Sequence, residues 1–401
     1  MTNSNAPALR FDGFDGEWEV KEFGSVVTRS STASAEPALP RLEYEDIVSG
    51  VGVLNKDLNR KENLKAGLLF GPGDVLYGKL RPYLKNWLLP DFQGIAVGDF
   101  WVLQSLTADP KFLYQLIQTP TYDAVTSVSS GSKMPRADWK LVSQSRMTFP
   151  STSEEQRAIG ELFADLDALI EQHRAKHSNL QQTKTALMQR MFPQDGADEP
   201  ELRLGGFSGH WKRGSFGDAV EAFKYGVNAA ATEYDGVTKY LRITDLDESS
   251  GQFGTGLVTS PRAEEETIRD FLLEEGDMVF ARTGATVGRS YLFRKSVGRT
   301  VWAGFLIRAR FNRNTDPQFV AAYAQTDSYW TYVKLTSQRS GQPGLNSAEY
   351  AAMPITTPPT LEEQRAIGEV FADLDALIAA EHRYITQLTR AKTALLQRMF
   401  V

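Results

Sequence analysis

The chain has 401 residues, 41% of them hydrophobic and 23% charged, enough for sizeable buried cores and for two or three domains. Cysteine is absent, which excludes a disulfide framework and cysteine-ligated metals and fits a reducing compartment. The net charge of −6 excludes a uniformly basic nucleic-acid binder.

The N-terminal MTNSNAPALRFDG has neither a basic nor an apolar targeting segment. No stretch approaches the ~18 apolar residues of a membrane span, so a cytoplasmic chain is expected. From Leu9, LRFDGFDGEWEVKEFGSVV leads into a first mixed head. Its runs GDVLYGKLRPYLKNWLLPDFQGIAVGDFWVLQ, KFLYQLIQTPTYDAVT and SSGSKMPRADWK read as a Gly-Asp turn, a strand, a basic loop, an apolar strand, a helix and a Gly-rich loop before a last strand. A long segment, EEQRAIGELFADLDALIEQHRAKHSNLQQTKTALMQRMF, begins at Glu154. From Leu202 the same order starts again with LRLGGFSGHWKRGSFGDAV, a second head, and EEQRAIGEVFADLDALIAAEHRYITQLTRAKTALLQRMF from Glu362. The long segments match without a gap at 25 of 39 positions, so the chain is one unit used twice.

Each long segment reads as a helix of about 55 Å, rich in Ala, Leu, Gln and Glu, with Ser153 and Thr360 as N-caps. Its seam is Ile159, Phe163, Leu166, Ile170, Leu180 and Leu187 in the first copy. In the second it is Ile367, Phe371, Leu374, Ile378, Leu388 and Leu395. A spacing of about 3.5 residues predicts a coiled coil, with the other copy in antiparallel orientation as the simplest partner. Polar seam positions His173, His177, Lys184, Glu381 and Lys392 would set its register. The alternative is two amphipathic helices, each packed on its own head.

Charge is segregated along the chain. No acid lies between Asp277 and Asp316, a window holding Arg282, Arg289, Arg294, Lys295, Arg299, Arg308, Arg310 and Arg313. None lies between Asp74 and Asp91, around Lys79, Arg81 and Lys85. This predicts basic faces on an acidic body. Lys79, Arg81 and Tyr83 in YGKLRPY and Arg282, Thr283, Thr286 and Arg289 in ARTGATVGR sit on Gly-bounded loops that can donate to guanine or phosphate. Gly131, Ser132, Lys133 and Met134 match Gly341, Gln342, Pro343 and Gly344 in a second loop.

GKLRPYL, GSKMPRADWK, ARTGATVGR and the doubled EEQRAIGELFADLDALI resemble the specificity subunit of Type I restriction–modification systems. The resemblance implies an α+β fold. Two mixed α/β target-recognition domains are separated by two long helices in an antiparallel coiled coil, as a pseudo-twofold internal repeat. The expected division is a first recognition domain over 1–153, a first helical region over 154–192, a second recognition domain over 193–361 and a second helical region over 362–401. Each recognition domain would read half of a bipartite, asymmetric site in double-stranded DNA. The helices would fix the spacer and dock two modification (methyltransferase) subunits, and restriction subunits could join. S-adenosylmethionine is expected on the modification subunits, with no cofactor on this chain. The resemblance carries DNA contact onto Lys79, Arg81, Ser132, Lys133, Arg136, Arg282, Thr283, Thr286, Gln342 and Asn346.

Catalytic patterns are missing from the sequence. GATVGRS lacks the lysine and spacing of a phosphate-binding loop. His173 and His177 lack a third nearby ligand, so no metal is expected. Asp165 and Asp167 do not share a helix face. The expectation is a non-catalytic subunit. The alternative is a coiled-coil scaffold joining two ligand-binding heads that never touch DNA.

Overall fold

The computed structural model describes residues 5–58, 65–128, 134–194, 197–246, 253 and 258–401. The chain divides into two compact units, Met1–Arg174 with Tyr384–Val401, and Ala175–Arg383. Each unit takes one head and a stretch of both long helices, which run from Ser153 to Met191 and from Leu361 to Met399. Among the described residues no helix is long and apolar enough to cross a membrane.

In the first unit, a four-stranded antiparallel sheet runs in the order Val27–Arg29, Phe100–Ser105, Val75–Gly78, Trp87–Leu88. Val75–Gly78 is central and wholly buried, which its apolar VLYG run permits. A second sheet carries Ala33–Ser34, Gly67–Phe70, Gly94–Ala96 and Arg41–Leu42, the last pair parallel. Short helices follow at Pro110–Leu116, Pro120–Thr126 and Trp139–Gln144. The first starts at Asp-Pro: Asp109 accepts from the Lys111 and Phe112 amides, and proline suits the first helical position. Glu19–Glu22 pairs with Arg146–Phe149 and closes the head.

The second unit repeats this order. Its four-stranded sheet is Val220–Tyr225, Leu306–Phe311, Met278–Ala281, Ser290–Leu292. Helices Pro317–Tyr323, Asp327–Thr336 and Ser347–Ala351 follow, and Lys212–Ser215 pairs with Pro354–Thr357.

The repeated arginine, glutamate and glutamine make the same contacts in both units. Arg10 donates to both Glu155 carboxylate oxygens at 2.6 and 2.7 Å, and Trp18 Nε1 adds a third donor at 3.1 Å. Arg203 grips Glu363 at 2.7 and 2.8 Å. These bonds hold both arginines above their ordinary pKa. The short repeat before each head is thereby tied to the first turn of the helix after it. One residue on, buried Gln156 accepts from the Asp109 amide at 3.0 Å, and Gln364 from the Asp316 amide at 2.9 Å.

The N-cap of the first long helix is Thr152, which accepts from the Glu155 amide, and Ser153 is already helical. This corrects the expectation of Ser153, because the cap is read three residues before the amide that it satisfies. Thr360 caps the second helix in the same way, to Glu363.

The helices pair antiparallel within each unit. In the first, Lys392 meets Asp167 at 2.7 Å and His173 packs on Tyr384 at 4.4 Å. In the second, Lys184 pairs with Asp375, and Lys176 with Glu381 at 2.6 Å. Each seam lysine thus meets the second aspartate of the opposite FADLDALI, and this fixes the register. The seam is not only a helix–helix contact. Ile159 and Phe163 belong to the first head's core, and Ile367 and Phe371 to the second's. The helix ends also enter cores: Met399 and Phe400 that of the first unit, Met188, Met191 and Phe192 that of the second. Phe400 stacks on Phe112 at 5.2 Å, and Phe192 lies 5.5 Å from Phe319. Ile170 is buried, whereas Leu166, Leu180, Leu187, Leu374, Ile378, Leu388 and Leu395 are partly buried.

Gly160 and Gly368 mark where each long helix crosses a short one. A Cβ on Gly160 would lie 2.8 Å from the Phe112 nitrogen, and on Gly368 2.7 Å from that of Phe319. Alanine would gain about 1 kcal/mol of helix propensity, but the helices would have to part. Gly368→Ala and Gly160→Ala are each expected to lower stability by a net of about 1–2 kcal/mol. The measurement is the urea midpoint of the full chain, and an unchanged or higher midpoint would refute the close crossing.

Candidate nucleic-acid interface

In the first head, Lys79, Arg81 and Tyr83 lie on the loop between Val75–Gly78 and Trp87–Leu88. This loop is pinned from two sides. The Lys79 amide donates to the Asp99 carbonyl at 2.9 Å, and the Arg81 amide to Pro135 at 2.8 Å. The Ala137 amide returns to the Lys79 carbonyl at 2.9 Å. In the second head the Arg282 amide donates to Phe305, the Gly284 amide to Pro343 at 2.9 Å, and the Leu345 amide to Arg282 at 2.8 Å. Two unlike sequences therefore build one frame of three loops.

These bonds correct the matching of the second loop. Met134 and Pro135 correspond to Gln342 and Pro343, so the expected match is displaced by two residues. Aligning the glycines misleads here, because the bridges Leu80–Arg136 and Thr283–Gly344 set the register. Ser132 and Lys133 lie outside the described residues.

The frame brings Lys79, Arg81, Tyr83 and Arg136 together in the first head, and Arg282, Thr283, Thr286 and Gln342 in the second. Arg136 is exposed and donates to Asp99 at 2.8 Å, while Lys79 lies 3.7 Å from the same carboxylate. Tyr83 is 61% exposed, free to meet a ligand. The Arg282 guanidinium sits 5.0 Å over the Tyr225 ring. Arg289 is partly buried at the end of its loop, where its carbonyl accepts from the Ala281 amide at 2.8 Å. Asn346 caps a helix: its side-chain oxygen accepts from the Glu349 amide at 2.9 Å, which leaves the amide NH2 and one lone pair of the oxygen for a ligand.

The loop backbone differs in strain. Gly284 and Gly288 have φ of 79° and 87°. The corresponding residues of the first head are Arg81 and Lys85, at 50° and 54°, the only non-glycine residues described with positive φ. A side chain in this left-handed region costs about 1–2 kcal/mol.

The basic window is less available than its sequence suggests. Arg310 donates twice to buried Asp277, at 2.9 and 2.8 Å, which holds its pKa well above the ordinary value. Burial pushes that of Arg308 down. Arg294 pairs with Glu275, and Arg299 with Glu265. Arg294, Arg299, Arg308 and Arg310, half of the window's cations, secure the head, because their partners Glu265, Glu274, Glu275 and Asp277 lie before the acid-free run.

Sequence reading missed Asp99 and Phe305. They occupy the same turn, between Gly94–Ala96 and Phe100–Ser105 and between Thr300–Trp302 and Leu306–Phe311. Aligning AVGDF with WAGFL would have found them. Beside the second head's loops, a cavity of about 350 Å3 is lined by Ala285, Trp330, Lys334 and Pro343 among others. No group of three or more His, Cys, Asp or Glu able to hold a metal exists among the described residues.

Residues 211–390 match the family model of the Type I restriction modification DNA specificity domain. The chain is 28% identical over 145 residues to the Type I restriction enzyme EcoDI specificity subunit of Escherichia coli, covering 34% of this chain and 32% of that protein. The match thus spans about a third of that relative's length. Among solved structures, the Type-I restriction-modification system S subunit from M. genitalium is similar over 99% of both chains, with a TM-score of 0.69 and 16% identity. A chain from work on assembly and conformational transition of the type I R-M system is similar over 95% of this chain and 97% of that one, with a TM-score of 0.51 and 19% identity. At these identities the likeness is one of fold. Residues 211–390 thus match the model of the Type I restriction modification DNA specificity domain, and the whole chain shares the fold of the M. genitalium S subunit.

Proposed function

We propose that this chain is the DNA-recognition subunit of a Type I restriction–modification complex and makes no bond itself. The observation that carries this reading is the recurrence of one three-loop frame in both heads, bearing different cations and polar groups. A shared frame with unlike side chains suits two readers of different sequences. Each head reads one half of a bipartite, asymmetric site in double-stranded DNA. Lys79, Arg81, Tyr83, Ser132, Lys133 and Arg136 serve one half, and Arg282, Thr283, Thr286, Arg289, Gln342 and Asn346 the other.

The long helices dock two modification subunits. Their near-identity supports this, since two like surfaces suit two copies of one partner. S-adenosylmethionine belongs to those subunits, and a restriction subunit joins the same assembly.

The test is selection from a randomised duplex library by the full chain with its modification subunit. Affinity should fall linearly with salt on logarithmic axes, because phosphate contacts release counterions. A scaffold that never touches DNA would select nothing. Lys79→Ala and Arg282→Ala should each weaken one half-site about tenfold and spare the other. Loss of both halves from either change would overturn the division of labour. Arg81→Gly separates strain from function. It should leave stability unchanged or raise it by up to about 1 kcal/mol, while binding at the first half-site weakens. A clear loss of thermal stability would make Arg81 a structural residue instead.

A further inference from the structure

Asp99 and Phe305 hold one structural position. In each head the carbonyl of this turn residue accepts the amide of the first cationic loop residue, from Lys79 at 2.9 Å and from Arg282 at 3.1 Å. The turn residue's backbone is therefore held against that of the cation in both heads. The two side chains have opposite chemistry.

Asp99 is 25% exposed and accepts from Arg136 at 2.8 Å, with Lys79 at 3.7 Å. An acid on a face that meets phosphate is repelled unless cations surround it. Here two do, and the carboxylate holds one edge of the Arg136 fork. An arginine restrained in this way can present its remaining donors together to guanine O6 and N7. Phe305 is 66% exposed, and among the described residues Arg282 has no carboxylate partner. An exposed ring at this place offers no hydrogen bond. Its match on a base edge is the 5-methyl group of thymine.

Resting on the DNA-reading function, we propose that this turn position determines specificity in both heads: Asp99 orients Arg136 onto a guanine, and Phe305 contacts a thymine methyl group. Asp99 is a positioning residue, whereas Arg136 and Phe305 touch the base.

The experiment uses the full chain with its modification subunit on the duplex selected by wild type. Asp99→Asn and Asp99→Ala should lower preference for one G·C pair in one half-site about tenfold to a hundredfold. Replacing that guanine by 7-deazaguanine should weaken wild type and leave Asp99→Ala nearly unaffected. Phe305→Ala should relax one A·T pair in the other half-site, and deoxyuridine in place of its thymine should weaken wild type only. The untouched half-site reports in each case that the variant is folded. If wild type selects a site but all three variants select the same one with equal strength, the proposal fails while DNA reading stands. A wild type affected by neither base analogue at any position likewise overturns it. If wild type selects no sequence, both readings fall.

Discussion

A buried carboxylate at the start of each long helix sets the rest of the structure. Glu155 and Glu363 are removed from solvent and gripped by Arg10 and Arg203. An ion pair of this kind adds little over an apolar contact, but breaking it costs about 3–5 kcal/mol. It therefore rejects slipped dockings rather than deepening the right one. With the helix start fixed, the following residues fall into place one turn at a time. The glutamine meets the Asp-Pro cap, the isoleucine and phenylalanine enter the head, and the glycine lets the helices cross. Most of the identity shared by the two EEQRAIG motifs is explained by these contacts.

Farther along, the helices hold their register by charge. Asp167 with Lys392 and Asp375 with Lys184 are the same pair made reciprocally. Gln118 and Gln325, each at the end of a short helix, join the lysines and connect the pairs to the heads. The head frame is in turn backbone-bonded, so side chains on its loops can change without altering the fold. Shared frame and variable loops are thereby separated physically.

Much of the fold was legible in the sequence because repetition exposes it. The doubled helix, the shared element order and the polar seam positions were all readable from residues. The roles of the repeated arginine, glutamine and glycine were not, since each acts on a partner distant in the chain: Arg10 on Glu155, Gly160 on Phe112. Periodicity showed the coiled-coil seam but could not show that Ile159 and Phe163 face the head as well. Charge is a poor guide to the loop residues where acids next to the basic run fold back onto it, as for Arg310. Asp99 escaped notice because an acid is not sought on a DNA face, and Phe305 because a lone aromatic in an apolar run reads as core.

The place of Phe400 has a consequence in time. The first head is made first, yet part of its core is the last turn of the second long helix, and the Leu9 amide bonds to the Arg398 carbonyl. The second head takes its equivalent cover, Met191 and Phe192, from chain made just before it. At synthesis rates of about 5–20 residues per second, roughly 10–40 s separate the two covers. The unit begun first is completed last, and until then the apolar face beside Trp18 and Phe112 is open to solvent, to chaperones and to the wrong partner.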